Sequence, residues 1–242
     1  MFTIKDKNTR GWMDIGWLKS RHSFSFGDYY DPENMGFGVL RVINEDWVEP
    51  AAGFDTHGHK NMEIITYILE GELAHKDSTG GAGSIHPNEV QVMTAGKGIL
   101  HSEFNASDTD PVHLLQIWIL PDETGTRPGY QQKPFAPEEL HNRFRLLVSQ
   151  DGAAGSLPVK QDAKLHAARF DAGFSQQMAF EKERKYWLQV ARGAVVLSHE
   201  DATELQKKKL VAGDALSIEE ESGTLQITAE GDAEVLLFDL PA

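Results

Sequence analysis

The sequence predicts an all-β protein, and three observations support that prediction. The apolar segments are short, they are rich in β-branched and aromatic residues, and Gly, Asp, Asn or Pro separates them. Segments of this kind are typical of strands rather than helices. Ten segments fit the pattern: 38–42, 62–69, 90–93, 114–120, 144–148, 165–170, 186–190, 194–197, 225–228 and 235–240.

The strands fall into two similar halves. A proline- and glycine-rich stretch, 121–137, separates one strand-rich region from the next. Glycines also occur at similar positions in the two halves, with Gly71 and Gly193 each following an apolar strand. A chain of 242 residues is long enough for two domains with their own cores. The sequence therefore predicts domains at 1–132 and 133–242, the second opening with a short helix within 137–144.

Composition excludes several classes of function. The chain has no cysteine, so it offers neither a thiol nucleophile nor a thiol switch. Its 23 Lys and Arg residues stand against 37 Asp and Glu residues, and the net charge of −14 argues against direct binding of nucleic acid. The longest apolar run, 114–120, is too short to cross a membrane, and the first residues do not resemble a signal peptide. We expect a cytoplasmic protein with no membrane partner.

Two pairs of polar residues share the same spacing in the first half. They are His57 and His59, and His101 and Glu103. Residues i and i+2 of a strand point to the same face, about 6.6 Å apart along the chain. If two strands meet, each pair offers two ligands to one metal ion. Three imidazoles and one carboxylate suit Fe, Mn, Ni, Cu or Zn.

The residues around these pairs resemble known motifs. The segment THGHKNMEIITYILEG at 56–71 resembles the first cupin motif, and MTAGKGILHSE at 93–103 resembles the second motif in the form found in pirins. Both ends of the chain, at 16–32 and 236–241, are also similar to pirins. The resemblance therefore covers the whole chain, and it is strongest to bacterial pirin-like proteins associated with quercetinase activity.

The pirin resemblance implies a bicupin, that is, two tandem antiparallel β-sandwich barrels of the double-stranded β-helix type with little helix. It implies one metal, Fe(II), bound by His57, His59, His101 and Glu103 in the first barrel, and a degenerate site in the second. The second half agrees with this, because His141, His166 and His199 form no pair.

The carboxylate ligand has two candidates. Many cupins take it from the first motif, here Glu63, whereas pirins take it two residues after the second-motif histidine, here Glu103. We favour Glu103 because its spacing places it beside His101, and we expect Glu63 to orient a histidine. Glu103 is also the candidate base.

Other residues receive structural interpretations. Lone histidines are usually hydrogen-bonded or exposed, and six are set aside on that ground: His75, His86, His113, His141, His166 and His199. We expect Gly53, Gly96, Gly98 and Asn105 to form turns. We expect core packing for Trp118 and for the aromatic residues Phe24, Phe26, Tyr29, Tyr30 and Phe37, although these five could instead line an apolar pocket with His22 beside the substrate.

Three functions are compatible with such a site. The resemblance implies a dioxygenase that opens a flavonol-like aromatic enediol, such as quercetin, with O2 and releases carbon monoxide. An alternative is a non-enzymatic iron-binding regulator whose oxidation state controls binding of a protein partner. A third is metal-assisted isomerisation of a small sugar or acid, for which fold analogy alone is a weak argument.

Overall fold

The protein forms two similar β units, seen in a computed structural model that describes residues 1–199 and 206–242. The strands of the first part of the chain are β1 Phe2–Lys5, β2 Gly11–Asp14, β3 Leu18–His22, β4 Leu40–Val48, β5 Gly53–His59, β6 Glu63–Glu70, β7 Leu73–Asp77, β8 Ala82–Ile85, β9 Glu89–Thr94, β10 Ile99–Asn105, β11 Val112–Ile119 and β12 Gly129–Pro134.

The second part of the chain begins with one short helix, α1, at Pro137–Leu140, in agreement with the predicted helix. The strands that follow are β13 Arg145–Ser149, β14 Leu157–Pro158, β15 Lys164–Phe170, β16 Ser175–Phe180, β17 Arg184–Arg192, β18 Ala194–Ser198, β19 Lys208–Val211, β20 Ala215–Ile218, β21 Gly223–Ala229 and β22 Ala233–Pro241. Single 3-10 turns lie at Lys7–Thr9 and Ala153–Gly155.

Each unit is a sandwich of one large and one small sheet. Among the described residues, the first unit has a seven-stranded sheet in the order β12-β9-β6-β11-β4-β3-β2 and a four-stranded sheet in the order β5-β10-β7-β8. The second has β1-β20-β17-β22-β15-β13-β14 and β16-β21-β18-β19. The all-β prediction and the predicted pair of similar sandwiches are confirmed.

The ten predicted strands are all present, with shifted ends. Strand β4 shows the largest difference, because the prediction ended it at Val42 whereas it continues to Val48. The added residues include Asn44, Glu45 and Asp46, which are all buried in the structure. Polar residues of this kind are usually exposed, which is why the apolar pattern did not extend the strand through them.

Strand β6 shows why a continuous apolar run forms a central strand. Ile64 and Ile68 pack in the interior of the first sandwich, whereas Ile65 and Tyr67 belong to a second core. A strand that is buried on both faces is apolar at nearly every position, so it lacks the alternation of a half-exposed strand. The first seven-stranded sheet is therefore buried on both faces at β6.

The second core joins the two units. It combines residues of the first large sheet, such as Ile65 and Ile117, with residues of the second, such as Trp187 and Phe238. The amino terminus adds a further connection, because β1 forms antiparallel pairs with β20 at the edge of the second large sheet. Among the described residues, no helix is long and apolar enough to span a membrane.

Ile117 tests this shared core. We expect Ile117→Ala to lower the free energy of unfolding by about 2–5 kcal/mol, because Ile117 is fully buried and its truncation leaves a cavity. Urea denaturation measures the change. Ile15→Ala, which makes the same substitution at an exposed position, should change it by less than about 0.5 kcal/mol. Equal effects of the two substitutions would contradict the packing described above.

Candidate metal centre

Strands β5 and β10 bring the predicted histidines together. His57 lies directly opposite His101 in antiparallel register, and His59 lies opposite Ile99. The Nε2 atoms of His57 and His101 are 3.0 Å apart. One ring nitrogen from each of His57, His59 and His101 lies within 4.8 Å of the other two. Three of the four predicted ligands thus form one cluster.

The side chains of β10 alternate as predicted. His101 and Glu103 are buried, Ser102 between them is half-buried, and Leu100 before them and Phe104 after them are exposed. The register against β5 shifts between His101 and Glu103, so that Glu103 pairs with Phe54. This bulge changes the local direction of the strands beside the histidine cluster.

Gly53 allows the close approach of the two strands at this bulge. A Cβ atom at Gly53 would lie 2.2 Å from the carbonyl oxygen of Glu103, which no side chain permits. Gly53 therefore allows the backbones of β5 and β10 to lie close together. The expectation of a turn with positive φ was wrong for this residue. Gly96 and Gly98 do have positive φ, at 49° and 141°. Asn105 holds its turn by donating hydrogen bonds to the carbonyl oxygens of Val48 and Asp110.

Glu103 is held by a chain of polar side chains. The Nε2 atom of Gln116 donates to both carboxylate oxygens of Glu103, at 3.0 and 3.3 Å, and Thr66 donates its hydroxyl to Oε1 of Gln116 at 3.1 Å. Burial raises the pKa of Glu103 to about 7, and the hydrogen bond from Gln116 opposes this shift. The carboxylate therefore has a fixed orientation within the sandwich.

A second group of potential ligands consists of His75, His101 and Glu103, again within 4.8 Å of one another. His75 Nε2 lies 3.0 Å from Oδ2 of Asp77, and its Nδ1 atom lies 3.2 Å from the amide nitrogen of Gln91. Because an amide nitrogen only donates, Nδ1 accepts and Nε2 donates. Both ring nitrogens of His75 are thus occupied, which agrees with its predicted structural role.

The histidine cluster fits a divalent transition metal. His57 Nδ1 donates to the carbonyl oxygen of Asp55 at 2.8 Å, which directs its Nε2 lone pair towards the cluster. Burial, together with the charges of neighbouring histidines, lowers the pKa of His59 to about 4 and that of His101 to about 3. The neutral imidazole is the form that binds metal.

The spacing of the nitrogens also fits. Two nitrogen ligands about 2.1 Å from one metal ion and at right angles lie about 3.0 Å apart. The Nε2 atoms of His57 and His101 have this separation. Three convergent imidazoles beside a carboxylate are a donor set for Fe, Ni, Cu, Mn or Zn rather than for Mg or Ca.

Glu63 has partners that differ from those we expected. One of its carboxylate oxygens accepts a hydrogen bond from the hydroxyl of Thr94 at 2.8 Å, and the backbone of Lys160 also donates to it. Neither partner is a histidine, so the prediction that Glu63 orients a metal-binding histidine was wrong. It connects β6 to β9 and to the second unit instead.

A cavity of about 320 Å³ lies between the two sheets of the first unit, and two histidines of the cluster, His57 and His59, form part of its wall. His57, His59 and Glu103 contribute to it from the small sheet, and Gln116 and Trp118 from the large sheet. Trp118 packs edge-on against His59, with 4.9 Å between ring centroids. Trp118 therefore lines the site, and it also packs against a buried cluster that includes Ile64 and Met93, in agreement with the expected core packing.

The aromatic residues near the amino terminus divide between several roles. Phe24 and Phe37 pack in the shared core, Phe26 and His22 line the cavity, and Tyr30 is exposed. Sequence reasoning missed Gln116 and Asp46, which also line the cavity. A signal existed for Gln116, because it interrupts the apolar run at 114–120.

Two tandem cupin sandwiches with a histidine cluster in the first define a bicupin. Comparisons with known proteins show to which family this bicupin belongs. The family model described as Pirin matches residues 4–119, and the model described as Quercetinase C-terminal cupin domain matches residues 146–240. The chain is 44% identical to quercetin 2,3-dioxygenase of Escherichia coli K12 over 243 residues, covering 100% of this chain and 99% of that protein. The chain belongs to the pirin family.

Solved structures agree with this assignment. The crystal structure of YhhW from Escherichia coli is 43% identical, has a TM-score of 0.92 and is matched over 100% of this chain and 98% of that one. A second structure, of bacterial pirin YhhW in complex with nickel(II), has a TM-score of 0.90 at the same identity, with 100% and 99% coverage. The bicupin fold is confirmed.

Gln116→Met tests the hydrogen bond to Glu103. The substitution keeps the size of the side chain but removes the hydrogen-bond donor. We expect the affinity for nickel(II) at pH 7 to fall about tenfold, as when other residues that orient a metal ligand are replaced. Isothermal titration calorimetry measures this affinity. Gln177→Met, in an exposed position of the second unit, should leave the affinity unchanged. If Gln116→Met also leaves it unchanged, Gln116 does not act through Glu103.

Proposed function

We propose that this protein is a metal-dependent dioxygenase that opens the ring of a flavonol such as quercetin with O2. The observation that carries the proposal is the cluster of His57, His59 and His101, of which His57 and His59 lie in the wall of a largely apolar cavity that Glu103 also lines. The relationship to a protein named quercetin 2,3-dioxygenase supports the substrate class.

The proposed metal ligands are His57, His59, His101 and Glu103. A bound divalent metal would supply a redox-active Lewis acid with open coordination positions for oxygen ligands. We propose Fe(II), although the nickel(II) complex of YhhW shows that a related pirin binds another metal of the first row. Imidazole and carboxylate ligands also accept Cu, Mn and Zn, so the ligand set alone does not select iron.

The proposed role of Glu103 is that of a base. Its carboxylate lies in the cavity wall and is oriented by Gln116. The O–H bond of the 3-hydroxyl group breaks, its proton passes to a carboxylate oxygen of Glu103, and the electron pair stays on the flavonol oxygen. The resulting anion is electron-rich enough to react with O2. Both oxygen atoms then enter the product, the C2–C3 and C3–C4 bonds break, C3 leaves with its own oxygen as carbon monoxide, and Glu103 returns the proton to the new carboxylate.

The remaining cavity residues position the substrate and exclude water. Phe26, Phe54 and Trp118 provide flat apolar surfaces for an aromatic ring. A low-dielectric cavity strengthens the hydrogen bonds and charge interactions of Glu103 and protects the anion from protonation by solvent.

We also propose domains at 1–132 and 133–242. The two family models support a boundary between residues 119 and 146. Strand β12 pairs with β9 of the first unit and ends at Pro134, which is two residues past the proposed boundary. A cytoplasmic location stays a prediction from the sequence.

Oxygen consumption tests the function. We expect iron-reconstituted protein to consume O2 and release carbon monoxide with quercetin, and His101→Ala to lose both activities because one ligand of the cluster is removed. An oxygen electrode and a carbon monoxide assay measure the two. His141→Ala removes an exposed histidine outside the cluster and should keep full activity. If no metal of the first row supports O2 uptake, the alternative of an iron-binding regulator is favoured instead.

Glu103→Gln separates the roles of ligand and base. The amide still offers an oxygen to a metal but cannot take up the proton, so we expect metal content to fall modestly and the turnover rate to fall by about 10²–10⁴-fold. Metal analysis and stopped-flow kinetics measure the two quantities. Glu63→Gln is the matched control, since Glu63 contacts Thr94 rather than the cluster. Full activity of Glu103→Gln with loss in Glu63→Gln would transfer both roles to Glu63.

A further inference from the structure

A second polar surface lines the same cavity, on the large sheet. Ser20 and His22 of β3 lie directly opposite Asp46 and Asn44 of β4, respectively. All four side chains line the cavity that His57 and His59 also line. They are deeply buried, with exposed fractions of 1% for His22, 3% for Asn44 and 5% for Asp46.

The hydrogen bonds of this surface leave several polar atoms unused. Ser20 donates its hydroxyl to Oδ1 of Asp46. His22 Nδ1 lies 2.8 Å from the amide oxygen of Asn44, which only accepts, so Nδ1 donates and Nε2 is an acceptor. Within residues 1–199 and 206–242, no protein group forms a hydrogen bond with Oδ2 of Asp46, Nε2 of His22 or Nδ2 of Asn44.

These unused atoms point to a ligand with hydroxyl groups. All three atoms belong to side chains of the cavity wall, so a molecule that occupies the cavity can form hydrogen bonds with them. Asp46 and His22 offer two acceptors and Asn44 offers one donor. A phenolic hydroxyl both donates and accepts, and it therefore matches this set.

The other walls define the shape of the ligand. They are apolar or aromatic, and they comprise Met13, Leu18, Phe26, Phe54, Ile64 and Trp118. A planar aromatic molecule fits between such walls, and the cavity volume of about 320 Å³ is of the size that binds small organic ligands.

We propose that Asp46, His22 and Asn44 bind a phenolic hydroxyl of the substrate, separate from the oxygens that face the histidine cluster. The preferred substrates are then planar polyphenols, and Asp46 is a specificity-determining residue. This inference rests on the proposed function for the nature of the substrate, but the binding preference is independent of turnover.

Binding of two related compounds tests the proposal. Quercetin and 3-hydroxyflavone share the 3-hydroxy-4-oxo edge but differ in their other hydroxyl groups. Anaerobic titration of the nickel-loaded protein, followed by quenching of tryptophan fluorescence, gives both dissociation constants without turnover. We expect quercetin to bind at least about tenfold more tightly, because a site built for a hydroxyl rejects an analogue without it.

Asp46→Asn should remove this preference. We expect quercetin affinity to fall about tenfold and 3-hydroxyflavone affinity to stay within about twofold, since only the first compound uses the carboxylate. Asp108→Asn, which changes the charge equally at an exposed position, should alter neither affinity. His22→Phe keeps an aromatic ring but removes Nε2, and it should show the same selective loss if Asp46→Asn does not fold.

Two results would overturn the proposal. One is equal affinity of the unmodified protein for both compounds. The other is a fall in affinity by the same factor for quercetin and for 3-hydroxyflavone in Asp46→Asn, which would show that Asp46 has a structural role. Absence of O2 uptake together with a preserved preference for quercetin would contradict the proposed function but support the hydroxyl subsite.

Discussion

The site depends on the antiparallel pairing of β5 with β10. This pairing places His57 opposite His101, and a shift of one residue would turn the alternating side chains of one strand to the opposite face. Gly53 is essential to it, because a side chain there would collide with the backbone of Glu103. The metal centre is thus a consequence of strand register, and the rest of the first sandwich serves to hold that register.

The two sheets of the first unit have different tasks. The small sheet carries the histidine cluster, whereas the large sheet carries the polar side chains that face it. Gln116 connects the two sheets, since it lies on β11 and donates to Glu103 of β10. The shared core packs against the opposite face of the large sheet. Ile117, which follows Gln116 in the sequence, points to that face and belongs to the shared core. The second unit therefore stabilises the sheet from which the cavity wall is built.

Much of the fold was predictable. Apolar segments bounded by turn residues located ten strands, and the equal spacing of two polar pairs pointed to one site. The errors have physical reasons. The prediction ended strand β4 too early because buried Asn44 and Asp46 interrupt the apolar pattern. Polar residues are buried in a strand only where they form hydrogen bonds with other protein groups, water or a ligand. Trp118 packs against the core as expected, but its position in the cavity wall was missed because a sequence does not show where a cavity lies.

The sequence by itself determined ten of the 22 described strands and the donor atoms of the site. Periodicity along a strand is local, so it shows which side chains share a face, and the spacing at His57 and at His101 already indicated paired ligands. Only the tertiary structure decided which faces meet. Hydrogen bonds such as those from Thr66 to Gln116 and from Gln116 to Glu103 join residues 50 and 13 positions apart. Their existence depends on the register of several strands at once, because each contact forms only when all the intervening pairs are in place.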